Sequence, residues 1–196
     1  MIFQGENVDV QTYMRIYTCI YNFCTSQKAV TGSHRRAHPL RDSHISAYLL
    51  GEDLYIRLSA YLKQAVSTIH KGAEKLTKEK LLDYYNAQWN KFIACSRFNH
   101  YLWRYLHAHW ITRELEEGKR VDTIFDLHLR EWKLVMLDTM HENLAEILLG
   151  LIRRQRDGEQ LEQLPRKSFI NSISKCACTM SVIKCSHAIS SDSEKV

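Results

Sequence analysis

Ten histidines and six cysteines in 196 residues invite a search for metal-binding and acid–base chemistry. His107 and His109 lie two apart in a segment with helical apolar spacing, which sets them about 200° apart and denies them a common ion. His100 and His107 share a face but sit two turns apart, about 10.5 Å along an ideal helix, too far to chelate together. His141-Glu142 lacks the second histidine of an H-E-x-x-H zinc helix. Cys176-x-Cys178 and Cys185-x-His187 each separate their pair by one residue, whereas paired zinc ligands are usually separated by about two to four. The histidines therefore read as surface side chains, and neither a metal nor a cofactor is expected. No G-x-S-x-G, P-loop or G-x-G-x-x-G occurs. The carboxylates are spread along helix surfaces, so no residue is placed for catalysis and a non-catalytic protein is expected.

Two other sets could bind rather than react. Lys28, Arg35, Arg36 and Arg41 fall in a stretch without an acid and could contact phosphates. No aromatic side chain or recognition helix accompanies them, so a solvated loop competes with a basic helical nucleic-acid binder. The second set is aromatic. Tyr13, Tyr17 and Tyr21 recur at i, i+4 and i+8 and form one stripe of a helix. Met14 and Val10 lie beside it, Ile16, Ile20 and Phe23 lie on the other flank, and Arg15 points away. The apolar arc covers about half the circumference, wider than the ~100° a single core contact needs. Such an arc can serve two surfaces, with the aliphatic flank on the core and the tyrosine flank on a partner. The ring supplies buried area and the hydroxyl tolerates a wet rim. The other possibility is that all three tyrosines pack in the core. The segment from Ser96 to Glu114 repeats the pattern, with Phe98, Tyr101 and Tyr105 on one side and Leu102, Leu106 and Trp110 continuing round. His100, Arg104 and His107 take its polar face.

The elements that carry these stripes are helices. The only prolines are Pro39 and Pro165, seven glycines occur, and 45% of residues are apolar. That counts against β-sandwiches and barrels, which need frequent Gly/Pro turns, and against disorder. No run of 18 apolar residues occurs, so no membrane span is expected. The N-terminus lacks a signal peptide's basic and apolar regions. Net charge is +5 with pI 8.9, which permits an acidic partner without requiring one. Cys19, Cys24 and Cys95 fall inside helical patterns and read as small buried side chains.

The spacing predicts helices over 9–29 and from about Glu52 to His70, the second stopped by Gly72. Thr77 is placed to cap a pattern running to Gly118, with a break expected near Cys95–Ser96. Asp122 is placed to cap a helix to about Met140, and another runs from Glu142 to about Arg156 before Gly158. Ser, Cys and Lys dominate the C-terminal residues, which read as a tail.

Five segments together resemble the N-terminal domain of the cullin family, closest to the cullins of SCF-type ubiquitin ligases: YMRIYTCIYNFCTS (13–26), LYIRLSAYLKQAV (54–66), LLDYYNAQWNKF (81–92), YLHAHWITRELEEGK (105–119) and LIRRQRDGE (151–159). The W-x-x-F unit at Trp89–Phe92 and the stretch His109-Trp110 to Gly118 are the most specific. The resemblance implies an all-α, cullin-repeat-like bundle of about five to six helices. Residues 1–9 form an N-terminal extension, 10–160 the cullin-like repeat, and 161–196 a divergent tail expected to be disordered.

It also implies a scaffold rather than an enzyme. In the family the first repeat binds a BTB-fold adaptor, which carries a substrate receptor, in cytoplasm and nucleus. The implied adaptor-binding residues are Tyr13, Tyr17, Tyr21 and Tyr105, with Met14, Tyr101 and Leu102 chosen by helical position beside them. The cullin-homology domain that recruits the RING subunit has no counterpart in this sequence, so no RING partner is expected. A membrane partner is not expected either. Two alternatives remain open: the basic nucleic-acid binder, and a truncated cullin fragment without function.

Overall fold

Asp9 starts the first helix. Its carboxylate accepts the Thr12 amide at 2.6 Å, satisfying one of the donors a helix N-terminus leaves orphaned. The computed structural model describes residues 8–25, 42–77, 79–159 and 167–177, and every described segment is helical or connects helices. The elements are α1 (Val10–Thr25), α2 (Asp42–Ala73), α3 (Glu79–Leu102), α4 (Arg104–Leu106), α5 (Thr112–Glu116), α6 (Ile124–Trp132) and α7 (Asp138–Arg156). A further helix, α8, covers 167–177. Two π-turns, His107–Ile111 and Lys133–Leu137, carry the backbone from α4 into α5 and from α6 into α7. The described chain is thus six continuous rods, and the all-α expectation stands.

Local chemistry explains where the rods stop, and it corrects several sequence expectations. Gly118 at φ +75° and Gly158 at φ +95° end their helices as expected. At each, the glycine amide bonds back three residues and the next amide bonds back five, to Glu114 and Arg154 respectively. That is the Schellman arrangement, which needs a left-handed residue. Gly72 is not a stop. It lies inside α2, where an added Cβ would come within 2.5 Å of the Tyr84 hydroxyl. That hydroxyl donates to the Ile69 carbonyl at 3.2 Å, so the glycine marks a close approach.

The break expected at Cys95–Ser96 falls instead at Trp103, whose φ of −92° and ψ of 16° interrupt the rod. Thr123, not Asp122, caps α6. Its hydroxyl accepts the Asp126 amide at 3.2 Å and donates to the Asp126 carboxylate at 2.7 Å. The backbone of Asp122 is held by the Tyr55 hydroxyl, which donates to its carbonyl at 3.3 Å and accepts its amide at 3.2 Å. No stop separates Met140 from Glu142, because the π-turn passes straight into α7.

The chain folds as two compact units. The first comprises Met1–Leu62 and Ala94–Leu127, and the second Lys63–Ile93 and His128–Val196. The first is packed around Ile20, Cys24, Leu58, Leu62, Leu102 and Leu106, with Trp110, Ile111, Ile124 and Leu127 completing the cluster. The second is aromatic. The Trp132 ring lies 4.7 Å from that of Phe92, 5.5 Å from Trp89 and 5.6 Å from Tyr85. Three of its polar side chains are linked in series: Trp132 Nε1 donates to the Tyr85 hydroxyl at 3.0 Å, that hydroxyl meets Ser172 Oγ at 3.0 Å, and Ser172 donates to the Phe169 carbonyl at 2.7 Å.

Part of the predicted tail is therefore structural. Phe169, Ser172 and Cys176, at i, i+3 and i+7 of α8, are all buried in the second unit. A serine and a cysteine on the buried face hid this periodicity from a reading by composition. The basic stretch Lys28 to Arg41 lies outside the described residues, as do Cys178, Cys185 and His187.

Candidate functional site

The wide apolar arc of α1 divides as its angles dictate. Ile20 and Cys24 are buried, Tyr13, Ile16 and Tyr17 are half-buried against the first unit's core, and Val10, Met14 and Tyr21 remain outside. Phe23, assigned to the core flank from the sequence, is exposed, and Cys24 takes its place. Cys19 is exposed as well, and Cys95 half-buried.

The second stripe lies beside the first. α1 packs on α4. The Tyr21 and Tyr105 rings meet edge to face at 4.9 Å, and Tyr13 meets Phe98 the same way at 5.6 Å. Tyr13 and Tyr17 stack at 6.4 Å, and the Tyr13 hydroxyl donates to the Tyr101 carbonyl at 3.4 Å. Two stripes more than 80 residues apart in sequence thus form one continuous surface.

Of the seven residues named from the sequence, Met14 (52% exposed), Tyr21 (44%) and Tyr101 (64%) face solvent. Tyr13, Tyr17 and Tyr105 are half-buried beneath them. Leu102 leaves the set, because it is fully buried in the core. One residue along a helix is about 100° of rotation, enough to carry position 102 from the tyrosine face to the interior. Val10, 78% exposed, joins the stripe, and the exposed His109 lays its ring 4.3 Å from that of Tyr105. His109 lies at i+4 from Tyr105, a spacing that signals this neighbourhood in the sequence.

Burial raises the Tyr105 phenol above its ordinary value, helped by Tyr21, Cys24 and Tyr17 around it. Burial lowers the His107 imidazole, and the neighbouring His100 adds to the effect. The two imidazole rings are 5.5 Å apart, much closer than their two-turn separation implied, and the rod between them is interrupted at Trp103. Among the described residues no group of three or more His, Cys, Asp or Glu side chains is placed to hold a metal ion. No described helix is long and apolar enough to cross a membrane. The second unit has a concavity of about 490 Å³ lined by Leu76, Leu81, Ile147 and Leu151 with Asn143 and Arg154, and none of the candidate residues reaches it. The tyrosine surface can bury aromatic area and offer hydroxyls at its edge. That is recognition chemistry.

Comparison with known proteins places this architecture. The profile described as the cullin alpha solenoid domain matches residues 1–187. Cullin-1 of Caenorhabditis elegans is 30% identical over 187 residues, 92% of this chain and 23% of that protein. Cullin-1 of Dictyostelium discoideum is 30% identical over 162 residues, 82% of this chain and 21% of that protein. Cell division control protein 53 of Saccharomyces cerevisiae is 29% identical over 166 residues, 82% of this chain and 19% of that protein. The chain spans about a fifth of the length of these curated relatives. An all-helical chain matched over nearly its whole length by the family's solenoid profile belongs to the cullin family.

Proposed function

We propose that this chain is a non-catalytic cullin scaffold that docks a BTB-fold adaptor, and through it a substrate receptor, for an SCF-like RING-type ubiquitin ligase of cytoplasm and nucleus. The observation that supports this reading is the single surface made by α1 and the end of α3 with α4, where Val10, Met14, Tyr21 and Tyr101 are left exposed over half-buried Tyr13, Tyr17 and Tyr105. Exposed apolar side chains contiguous with a core layer of tyrosines have the composition of an interface centre.

Affinity purification of the chain from its native cells tests the proposal. A BTB-fold adaptor is expected in the eluate, and the purified adaptor is expected to bind the purified chain directly. The pair Met14→Glu and Tyr101→Ala changes exposed positions only. Anchors of this kind cost at least about 2 kcal/mol on truncation, roughly 30-fold in affinity. Recovery of no adaptor removes the function. Adaptor binding unchanged by the pair removes the site.

A further inference from the structure

The tyrosine surface has a charge as well as a shape. Between residues 10 and 25 and between 94 and 113 there is not one carboxylate, whereas Arg15, Arg97, Arg104 and Arg113 all fall there. Solvated helix faces usually interleave both signs. α7 does so, with Glu142 and Glu146 ahead of Arg153, Arg154 and Arg156. The nearest acids flanking the surface helices are already engaged. Asp9 caps α1 through the Thr12 amide, and Glu114 is buried with Lys119 Nζ 3.1 Å from its Oε2.

Two of the arginines border the surface itself. Arg97 and Tyr101 lie at i and i+4 of α3 and share its outward side, and beyond the interruption at Trp103 Arg104 is exposed as they are. On that face Tyr105 leans from Tyr101 toward α1, where it meets Tyr21. Arg97 lies one turn before Tyr101, and Arg104 one residue before Tyr105. Both are exposed, and neither makes an ion pair among the described residues.

We infer that the partner of this surface presents an acidic rim: an apolar cleft that receives Met14, Tyr21 and Tyr101, bordered by carboxylates facing Arg97 and Arg104. This rests on the adaptor-docking reading and adds the chemistry by which the adaptor is recognised. The arginines act mainly on encounter. Complementary charge raises association rates by about 10 to 1,000-fold and is screened by salt, whereas buried aromatic anchors set the dissociation rate. A protein partner fits better than nucleic acid. Two rim arginines release few counterions. The tyrosine rings also pack edge-on and face-on against one another, so fewer ring faces are open to stack bases.

The test is stopped-flow association of the full chain with the purified BTB-fold adaptor at 20 and 200 mM NaCl. Arg97→Glu with Arg104→Glu is expected to slow association about tenfold or more at low salt, to flatten the salt dependence, and to leave dissociation nearly unchanged. Arg97→Lys with Arg104→Lys is expected to restore the rate, since steering needs charge and not the guanidinium fork. Tyr101→Ala is expected to speed dissociation without slowing association. Circular dichroism melts of each variant confirm folding. An adaptor that binds the chain with the same association rate after the double reversal overturns the acidic rim and leaves the docking reading standing. An adaptor that does not bind the unaltered chain overturns both. A 20-mer single-stranded oligonucleotide, mixed with the chain in place of the adaptor, overturns the inference if it binds tightly and is lost on the same reversal.

Discussion

Burial raises the Cys176 thiol to about 12, the Tyr85 phenol to about 12 and the Cys24 thiol to about 11. From about pH 9 for the thiols and about pH 10 for the phenol up to these values, the unfolded chain has released protons that the folded chain retains, so stability falls as pH rises through that window. Each group contributes at most about 1.4 kcal/mol per pH unit. Urea unfolding at pH 8 to 10.5 should show this loss, and Cys176→Ala should make the slope shallower. An unchanged slope would count against a protonated thiol in the core of the second unit. The same scale separates what was legible at the candidate site from what was not. Tyr101 was legible as an outward residue because an over-wide apolar arc extends beyond what one core contact covers, and the side chain is exposed. Leu102 was misread because a neighbour in sequence is not a neighbour on a helix face. Cys176 was misread too, since a small thiol in a Ser/Cys/Lys-rich segment looks the same whether it is buried or not.

At the scale of the element, glycines separate positions that need the absence of a side chain from positions that merely lack one. A Cβ at Gly51 would come within 2.5 Å of Trp110 Cδ1 and 2.8 Å of its Cβ, in the same unit. At Gly150, inside α7, a Cβ meets nothing within 4 Å. Gly51→Ala should therefore lower stability by about 1 to 3 kcal/mol through overpacking. Gly150→Ala should raise it by about 0.5 to 1 kcal/mol through helix propensity alone. Thermal melts of the two variants should move in opposite directions, and a shared direction would refute the packing at Trp110. Caps and stops built from local chemistry, such as Gly118 and Gly158, were readable in advance. The π-turns were not. In the first, the amide and the hydroxyl of Thr112 both bond the His107 carbonyl, the hydroxyl at 2.9 Å, and no residue type announces that register.

For the whole molecule, binding and stability are linked. If the surface of the first unit docks an adaptor, adaptor at about 100 times its dissociation constant should add about 2.7 kcal/mol to the stability of the chain. Amide exchange should slow most over residues 10–25 and 94–116, the segments that build the surface. Protection confined to the second unit would move the site to a different face. The chain spans about a fifth of the length of the curated relatives, so this prediction concerns the proposed docking surface and not ligation as a whole.

The amino-acid sequence by itself determined the helical class, the stops at Gly118 and Gly158, the two over-wide aromatic arcs and the family they resemble. Each of these depends on spacing within about ten residues, where the 3.6-residue period and the left-handed tolerance of glycine act directly. Only the tertiary structure decided that Tyr21 meets Tyr105, that Leu102 faces inward, that α8 closes the second core, and that Arg97 and Arg104 are exposed and make no ion pair among the described residues. Those outcomes depend on contacts between segments up to about 90 residues apart, such as Tyr85 with Ser172. Their energy is gained only after the chain has closed, and no local pattern encodes it.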